Sequence, residues 1–186
     1  MLPKLKSIHN NQKGFTLIEL LVAIAITGLI IGVIGMSIFM IFNISARSDS
    51  RMLAVRQVQN AGYWISHDTQ MAQSVETDGG ATGFPLTLTW TEYVIGGDEH
   101  RVVYTLISTS LKREHYTNYD PDNPALPDAT TFVAEYIDTG NTNCEFNDTD
   151  GDDIKDTLFL KVTATVSGRH EATETRVYEV IPRPDQ

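Results

Sequence analysis

The chain has 186 residues, enough for one domain with an added anchor, and its formal net charge is −10. Such an acidic surface repels phosphate and argues against broad nucleic-acid binding, whereas it suits solubility outside the cell and cation binding. The single cysteine, Cys144, excludes an internal disulfide. We expect a semi-buried small side chain there, with an intermolecular disulfide or a lipid attachment as the alternative.

The N-terminal segment combines a basic start with a long apolar stretch. Lys4, Lys6 and Lys13 lie within the first fourteen residues, which contain no acid. The predominantly apolar stretch of 23 residues from Leu20 to Phe42 would rise about 34 Å as a helix, and a hydrocarbon core is about 30 Å thick. Because the positive charges precede this stretch, we expect the N-terminus to stay in the cytoplasm and the C-terminal part to be exported.

One carboxylate, Glu19, lies at the edge of the apolar stretch. Residues 15–46 contain no Lys, Arg or Asp and only this one Glu. A charged group beside a membrane span is costly and usually serves a function. A plain single-pass anchor therefore leaves Glu19 unexplained.

The string Lys13-Gly-Phe-Thr-Leu-Ile-Glu-Leu20 resembles the class III signal of bacterial type IV prepilins and type II secretion pseudopilins. The resemblance implies that a prepilin peptidase cuts between Gly14 and Phe15 and removes residues 1–14 as a leader. It implies that the same enzyme methylates the new amino group of Phe15. It also implies that Lys13 holds the leader at the cytoplasmic face.

The same resemblance gives Glu19 a role in assembly. In a packed filament its carboxylate would pair with the Phe15 amine of a neighbouring subunit, so that each charge favours burial of the other. The implied partners are other pilins or pseudopilins, through the N-terminal helix, and an inner-membrane assembly platform. The implied location is the inner membrane, followed by a cell-surface or periplasmic filament.

The helical pattern continues past the apolar stretch. We expect one helix from about Phe15 to about Val75, with residues 15–45 in the membrane or filament core and residues 46–76 packed on a sheet within an exported domain, residues 46–186. Three glycines in the span suit close helix packing or are incidental: Gly28, Gly32 and Gly35. Asp78-Gly79-Gly80 predicts the break.

The C-terminal part alternates with a period of two, which is typical of strands. We predict an α+β, pilin-like fold with one antiparallel sheet of about six strands, over residues 84–182, laid on the helix. The predicted strands are residues 86–95, 101–107, 111–116, 132–137, 158–166 and 175–181.

A weaker resemblance concerns the sub-type. The helix text at residues 56–60, followed by Asp68 and Ala72, and the strand text at residues 103–106 and 111–113 resemble the J-type minor pseudopilin and W-type minor pilin group. The retained Glu residue near the cut argues against the K-type tip pseudopilin, which typically lacks it.

An acidic loop follows the predicted fourth strand. Four carboxylates alternate around a glycine, in the pattern Asp-x-Asp-Gly-Asp-x-x-x-Asp: Asp148, Asp150, Asp152 and Asp156. Such a loop can direct oxygens at a calcium ion, which takes about 6–8 of them. The text resembles thrombospondin type 3 and dockerin loops more than an EF-hand, because Asp153 and Phe159 stand where an EF-hand has Gly and Glu. A solvated acidic loop is the alternative reading.

No catalytic motif is recognisable. The histidines of the mature chain have no zinc-site spacing: His67, His100, His115 and His170. We therefore expect a non-enzyme that is a structural, minor subunit of a pilus or pseudopilus. The alternative is a tip module that binds DNA, a surface or a secreted protein, for which a small basic patch at Lys112 and Arg113 is the candidate. An anchored enzyme is a remote third hypothesis.

Overall fold

The computed structural model describes residues 14–123, 125–149, 151, 154–168 and 170–183. The chain divides into two compact units, Met1–Ser45 and Ala46–Gln186. One helix, α1 (Leu17–Met71), has 55 residues and contributes to both units.

The apolar part of α1 is uninterrupted, although it contains several polar side chains. Thr27 Oγ1 donates to Ala23 O at 2.7 Å, and Ser37 Oγ donates to Val33 O at 2.9 Å. Bonds of this kind satisfy a hydroxyl on its own helix, as an apolar environment requires. The predicted single long helix is confirmed.

The C-terminal end of α1 lies earlier than predicted. The helix ends at Met71, and Gln73 N already donates to Thr89 O at 2.9 Å. Val75, predicted to be helical, lies instead in strand β1 (Ser74–Thr77). The prediction was wrong here because an apolar residue at helical spacing fits a strand equally well once its backbone finds a partner.

Eight antiparallel strands form two sheets in the described part of the chain. The first sheet has the order β1-β2-β3-β4-β5 and the second has the order β6-β7-β8. The remaining strands are β2 (Leu86–Thr91), β3 (Glu99–Ile107), β4 (Ser110–Thr117), β5 (Ala129–Ala134), β6 (Asn143–Asn147), β7 (Thr157–Val166) and β8 (Ala172–Val180). The α+β class and the antiparallel pairing are confirmed, but two sheets replace the single predicted sheet of about six strands.

The division into two sheets arises after β5. Tyr136 adopts a left-handed conformation with φ of 58°, and Ile137 forms an isolated bridge with Ala164. A turn follows, in which Asn141 N donates to Asp138 O. The chain then enters β6, which pairs with β7. Alternation along a strand does not specify this pairing, because the pairing depends on contacts distant in sequence.

Both sheets share one core with the second half of α1. The helix contributes core residues that include Ala54, Val58 and Ile65. The sheets contribute core residues that include Leu88, Tyr104, Leu158 and Leu160. The helix packs tightly on the second sheet at Gly62, where a Cβ would lie 2.1 Å from Tyr178 Cζ. The Tyr178 hydroxyl reaches past this position and donates to Val58 O at 3.0 Å. Gly62 is therefore required by helix-to-sheet packing.

Candidate processing and assembly site

The described N-terminal unit begins with a capping box. Thr16 precedes the helix, and its carbonyl accepts from Leu20 N at 3.2 Å. Glu19 Oε2 accepts from Thr16 N and from Thr16 Oγ1, both at 2.8 Å. Glu19 N in turn lies 3.4 Å from Thr16 Oγ1. This reciprocal arrangement satisfies backbone donors at the start of the helix. The negative charge of the carboxylate also interacts favourably with the positive end of the helix dipole.

Thr16 was not among the residues predicted to have a role. Thr-x-x-Glu before an apolar stretch is the sequence signature of a capping box, so the signal was present. Glu19 consequently has a function within its own chain. Its second oxygen, Oε1, has no hydrogen-bond partner among the residues that the structure describes.

The predicted cleavage position lies just before the helix. Gly14, Phe15 and Thr16 are irregular and exposed, and Phe15 is 90% exposed. A Cβ at Gly14 would meet no other atom of the described chain within 4 Å. Packing within the described chain therefore gives no reason for a glycine at this position. Lys13 lies outside the described residues.

The apolar part of α1 is long and apolar enough to cross a membrane. Its large side chains are exposed; Leu29, for example, is 73% exposed. A Cβ added at Gly28, Gly32 or Gly35 would meet nothing within 4 Å in the described chain. These surfaces are available to lipid or to other helices.

Comparison with protein families decides what this segment is. Residues 9–35 match the family model described as the prokaryotic N-terminal methylation motif. The chain carries a prokaryotic N-terminal methylation motif. The match covers the predicted cleavage position, the capping box and the first turns of the span. No curated protein matches the chain significantly. The methylation motif supports the pilin or pseudopilin family and does not distinguish sub-types within it.

The predicted calcium ligands are described only in part. Asp148 Oδ1 accepts from Gly151 N at 2.7 Å. Asp156 Oδ1 accepts from Thr149 N at 3.1 Å and from Thr149 Oγ1 at 2.9 Å. The pKa of Asp156 is lowered, mainly because the Thr149 side chain donates a hydrogen bond to this carboxylate.

The other two predicted ligands, Asp150 and Asp152, lie outside the described residues. Among the described residues, no group of three or more metal-binding side chains occurs. Calcium binding by this loop therefore stays a prediction.

The predicted basic patch is not a pair of free cations, which corrects that expectation. Lys112 Nζ lies 2.9 Å from Glu114 Oε2. Arg113 Nε donates to Asp68 Oδ2 at 2.7 Å, and Arg113 Nη2 donates to Asp68 Oδ1 at 3.3 Å. Because β4 alternates, the adjacent cations have different partners, and neither is free to attract a phosphate.

Asp68 is the centre of a buried polar group. Only 2% of this residue is exposed, and it accepts from the hydroxyl of Tyr104 as well as from Arg113. Burial, followed by the Asp68 charge, raises the pKa of Tyr104. The Arg113 guanidinium also lies 5.2 Å from the centre of the Trp64 ring. A buried carboxylate is tolerated here because it is paired and hydrogen-bonded.

The structure also brings together two histidines that looked scattered. His100 Nδ1 and His115 Nε2 are 3.1 Å apart, although 15 positions separate them in sequence. Burial, followed by the charges of Arg113 and His100, lowers the pKa of His115. No linear spacing could reveal this pair, because the register of the β3–β4 hairpin creates it.

Proposed function

We propose that this protein is a structural, minor subunit of a type IV pilus or a type II secretion pseudopilus. The observation that carries the proposal is the methylation motif over residues 9–35, followed by a helix able to span a membrane. A prepilin peptidase would cut between Gly14 and Phe15 and methylate the new amine. The N-terminus would stay on the cytoplasmic side of the inner membrane, and the C-terminal domain would be exported.

Assembly would use the charge at the start of α1. After the cut, the Phe15 amine is a cation beside the helix N-terminus, where the dipole disfavours it. Glu19 Oε2 is occupied by Thr16, while Oε1 has no partner in the described chain. We propose that Oε1 receives the Phe15 amine of a neighbouring subunit. Both charges would otherwise be unpaired in an apolar bundle, so the pair selects the axial register.

The alternative function is a tip subunit that binds DNA, a surface or a secreted protein. Its candidate basic patch has lost support, because Lys112 and Arg113 are both paired with acids. The J-type or W-type sub-group stays a proposal that rests on the sequence text alone. The methylation motif supports a pilin-like or pseudopilin subunit and is equally compatible with both functions.

Mass spectrometry of sheared surface filaments and of the remaining membranes tests the proposal. We expect a peptide that begins at N-methylated Phe15. Its presence in filaments at low abundance supports a minor pilus subunit, and its confinement to membranes supports a pseudopilin. Recovery of only uncut protein that begins at Met1 would exclude the proposal.

We also propose that the loop with Asp148 and Asp156 binds calcium as a structural ion, helped by Asp150 and Asp152. Calcium would neutralise acids that repel one another between β6 and β7. We expect the melting temperature of the full chain to rise by several degrees in calcium and to fall on chelation. The variant Asp156→Asn should lose this response, whereas Asp120→Asn should keep it. An unchanged melting curve would rule out the site.

A further inference from the structure

Three aromatic rings lie side by side on the face of the first sheet that also carries the core residue Leu88. They come from neighbouring strands: Trp90 on β2, His100 on β3 and His115 on β4. The Trp90 and His100 rings are stacked with centroids 5.4 Å apart, and the His100 and His115 rings with centroids 5.2 Å apart. Core residues such as Leu88 lie on the same face, so the polar nitrogens of the two histidine rings need hydrogen-bond partners there.

The rings line an open pocket at the end of α1. The pocket has a volume of about 560 Å³, and its other walls include Met71, Tyr93 and Arg183. Since α1 stops at Met71, the helix does not extend over the whole sheet face. The two imidazoles are therefore accessible from the pocket, and His100 keeps 17% of its side chain exposed.

The hydrogen bonds assign a tautomer to each ring. His100 Nε2 lies 3.2 Å from Glu92 Oε1. A carboxylate oxygen accepts, so a neutral His100 that donates to Glu92 from Nε2 carries its lone pair on Nδ1. The contact of 3.1 Å between His100 Nδ1 and His115 Nε2 is then a hydrogen bond donated by His115. Glu92 thus holds His100 with its free nitrogen directed at His115.

We propose that these two nitrogens bind a divalent transition-metal ion, which would replace the bridging hydrogen. Metal–imidazole bonds are about 2.1 Å long, and nitrogens 3.1 Å apart then subtend about 95° at the metal. That angle fits two adjacent ligands of an octahedral or distorted tetrahedral ion. Imidazole pairs suit zinc, nickel and copper rather than calcium. The His115 proton moves from Nε2 to Nδ1, so that both rings stay neutral.

Glu92 is a positioning residue in this site. A carboxylate that accepts from the second nitrogen of a metal-binding histidine orients the ring and raises its basicity. No third metal-binding side chain joins the pair among the described residues. Water or a ligand that enters the pocket would complete the coordination.

Trp90 supplies a reporter for the test. The chain has 2 tryptophans, so Trp64→Phe leaves Trp90 as the sole tryptophan, stacked on His100. In the full chain in detergent micelles, we expect Ni²⁺ to quench this fluorescence saturably, with one ion per chain. His100→Gln and His115→Gln should abolish the saturable quenching. His67→Gln, at a ring outside the pocket, is the matched control and should leave it unchanged.

Glu92→Gln is a second variant that should not disturb folding, because this side chain is 52% exposed. We expect it to weaken Ni²⁺ binding about 10–100-fold while the maximal quenching is preserved. Thermal unfolding without metal checks that each variant is folded. Quenching that persists in both histidine variants, or no quenching up to about 1 mM Ni²⁺, would show that the pair is only a hydrogen bond and would overturn the proposal.

Discussion

Replacing Arg113 with alanine is expected to lower the free energy of unfolding by about 3–5 kcal/mol. The change leaves Asp68 as a charge without its cation, at a residue that is only 2% exposed. Removing one partner of a buried pair costs far more than the pair contributes, because the remaining charge has lost its hydration as well. Urea unfolding of the full chain in detergent, followed by the far-UV dichroism of the sheets, measures the loss.

The neighbouring residue provides the control. Lys112→Ala removes a cation from the same strand, but its partner Glu114 lies at a more exposed position. We expect a loss of about 1 kcal/mol or less. Adding Asp68→Asn to Arg113→Ala should recover most of the loss, because the unpaired charge is then gone. Equal losses for Lys112→Ala and Arg113→Ala would contradict the assignment of Asp68 and Arg113 as a buried pair.

Replacing Glu19 with alanine is expected to leave cleavage intact and to prevent assembly. The variant loses the capping bonds to Thr16 and, on our proposal, the partner of the next subunit's Phe15 amine. Losing a helix cap costs about 1 kcal/mol, whereas an unpaired amine in an apolar bundle costs several kcal/mol. We expect the amount in sheared filaments or crosslinked pseudopili to fall at least tenfold, since about 1.4 kcal/mol corresponds to that factor.

Two further variants separate the intrachain and interchain functions of this carboxylate. Glu19→Gln keeps an oxygen that can accept from Thr16 but removes the charge, so it should fail to assemble as the alanine variant does. Thr16→Val removes the side-chain bonds of the capping box and keeps the charge, so it should assemble at a level close to that of the unmodified protein. Normal assembly of Glu19→Gln would show that Glu19 acts only as a helix cap and would contradict the proposed charge pair.

The processing segment could be predicted from the sequence because its features are local. The predicted cleavage position, a capping residue and a carboxylate lie within Gly14–Glu19, and the helix brings residues four apart together in any fold. The span likewise follows from the composition of a continuous stretch. Alternation with a period of two was enough to predict antiparallel strands after the helix.

Tertiary structure alone decided the remaining features, because strand pairing joins residues that are distant in sequence. The turn after β5 creates a second sheet, and the β3–β4 register brings His100 to His115. Asp68 and Arg113 are 45 positions apart. Sequence patterns relate only nearby residues, so they indicated Arg113 only as a basic residue beside Lys112. Composition and periodicity thus predicted a helix able to span a membrane and the α+β class, and the resemblance of a short motif predicted the processing position. Cross-strand register, in contrast, decided which charges are buried together and where a pocket opens.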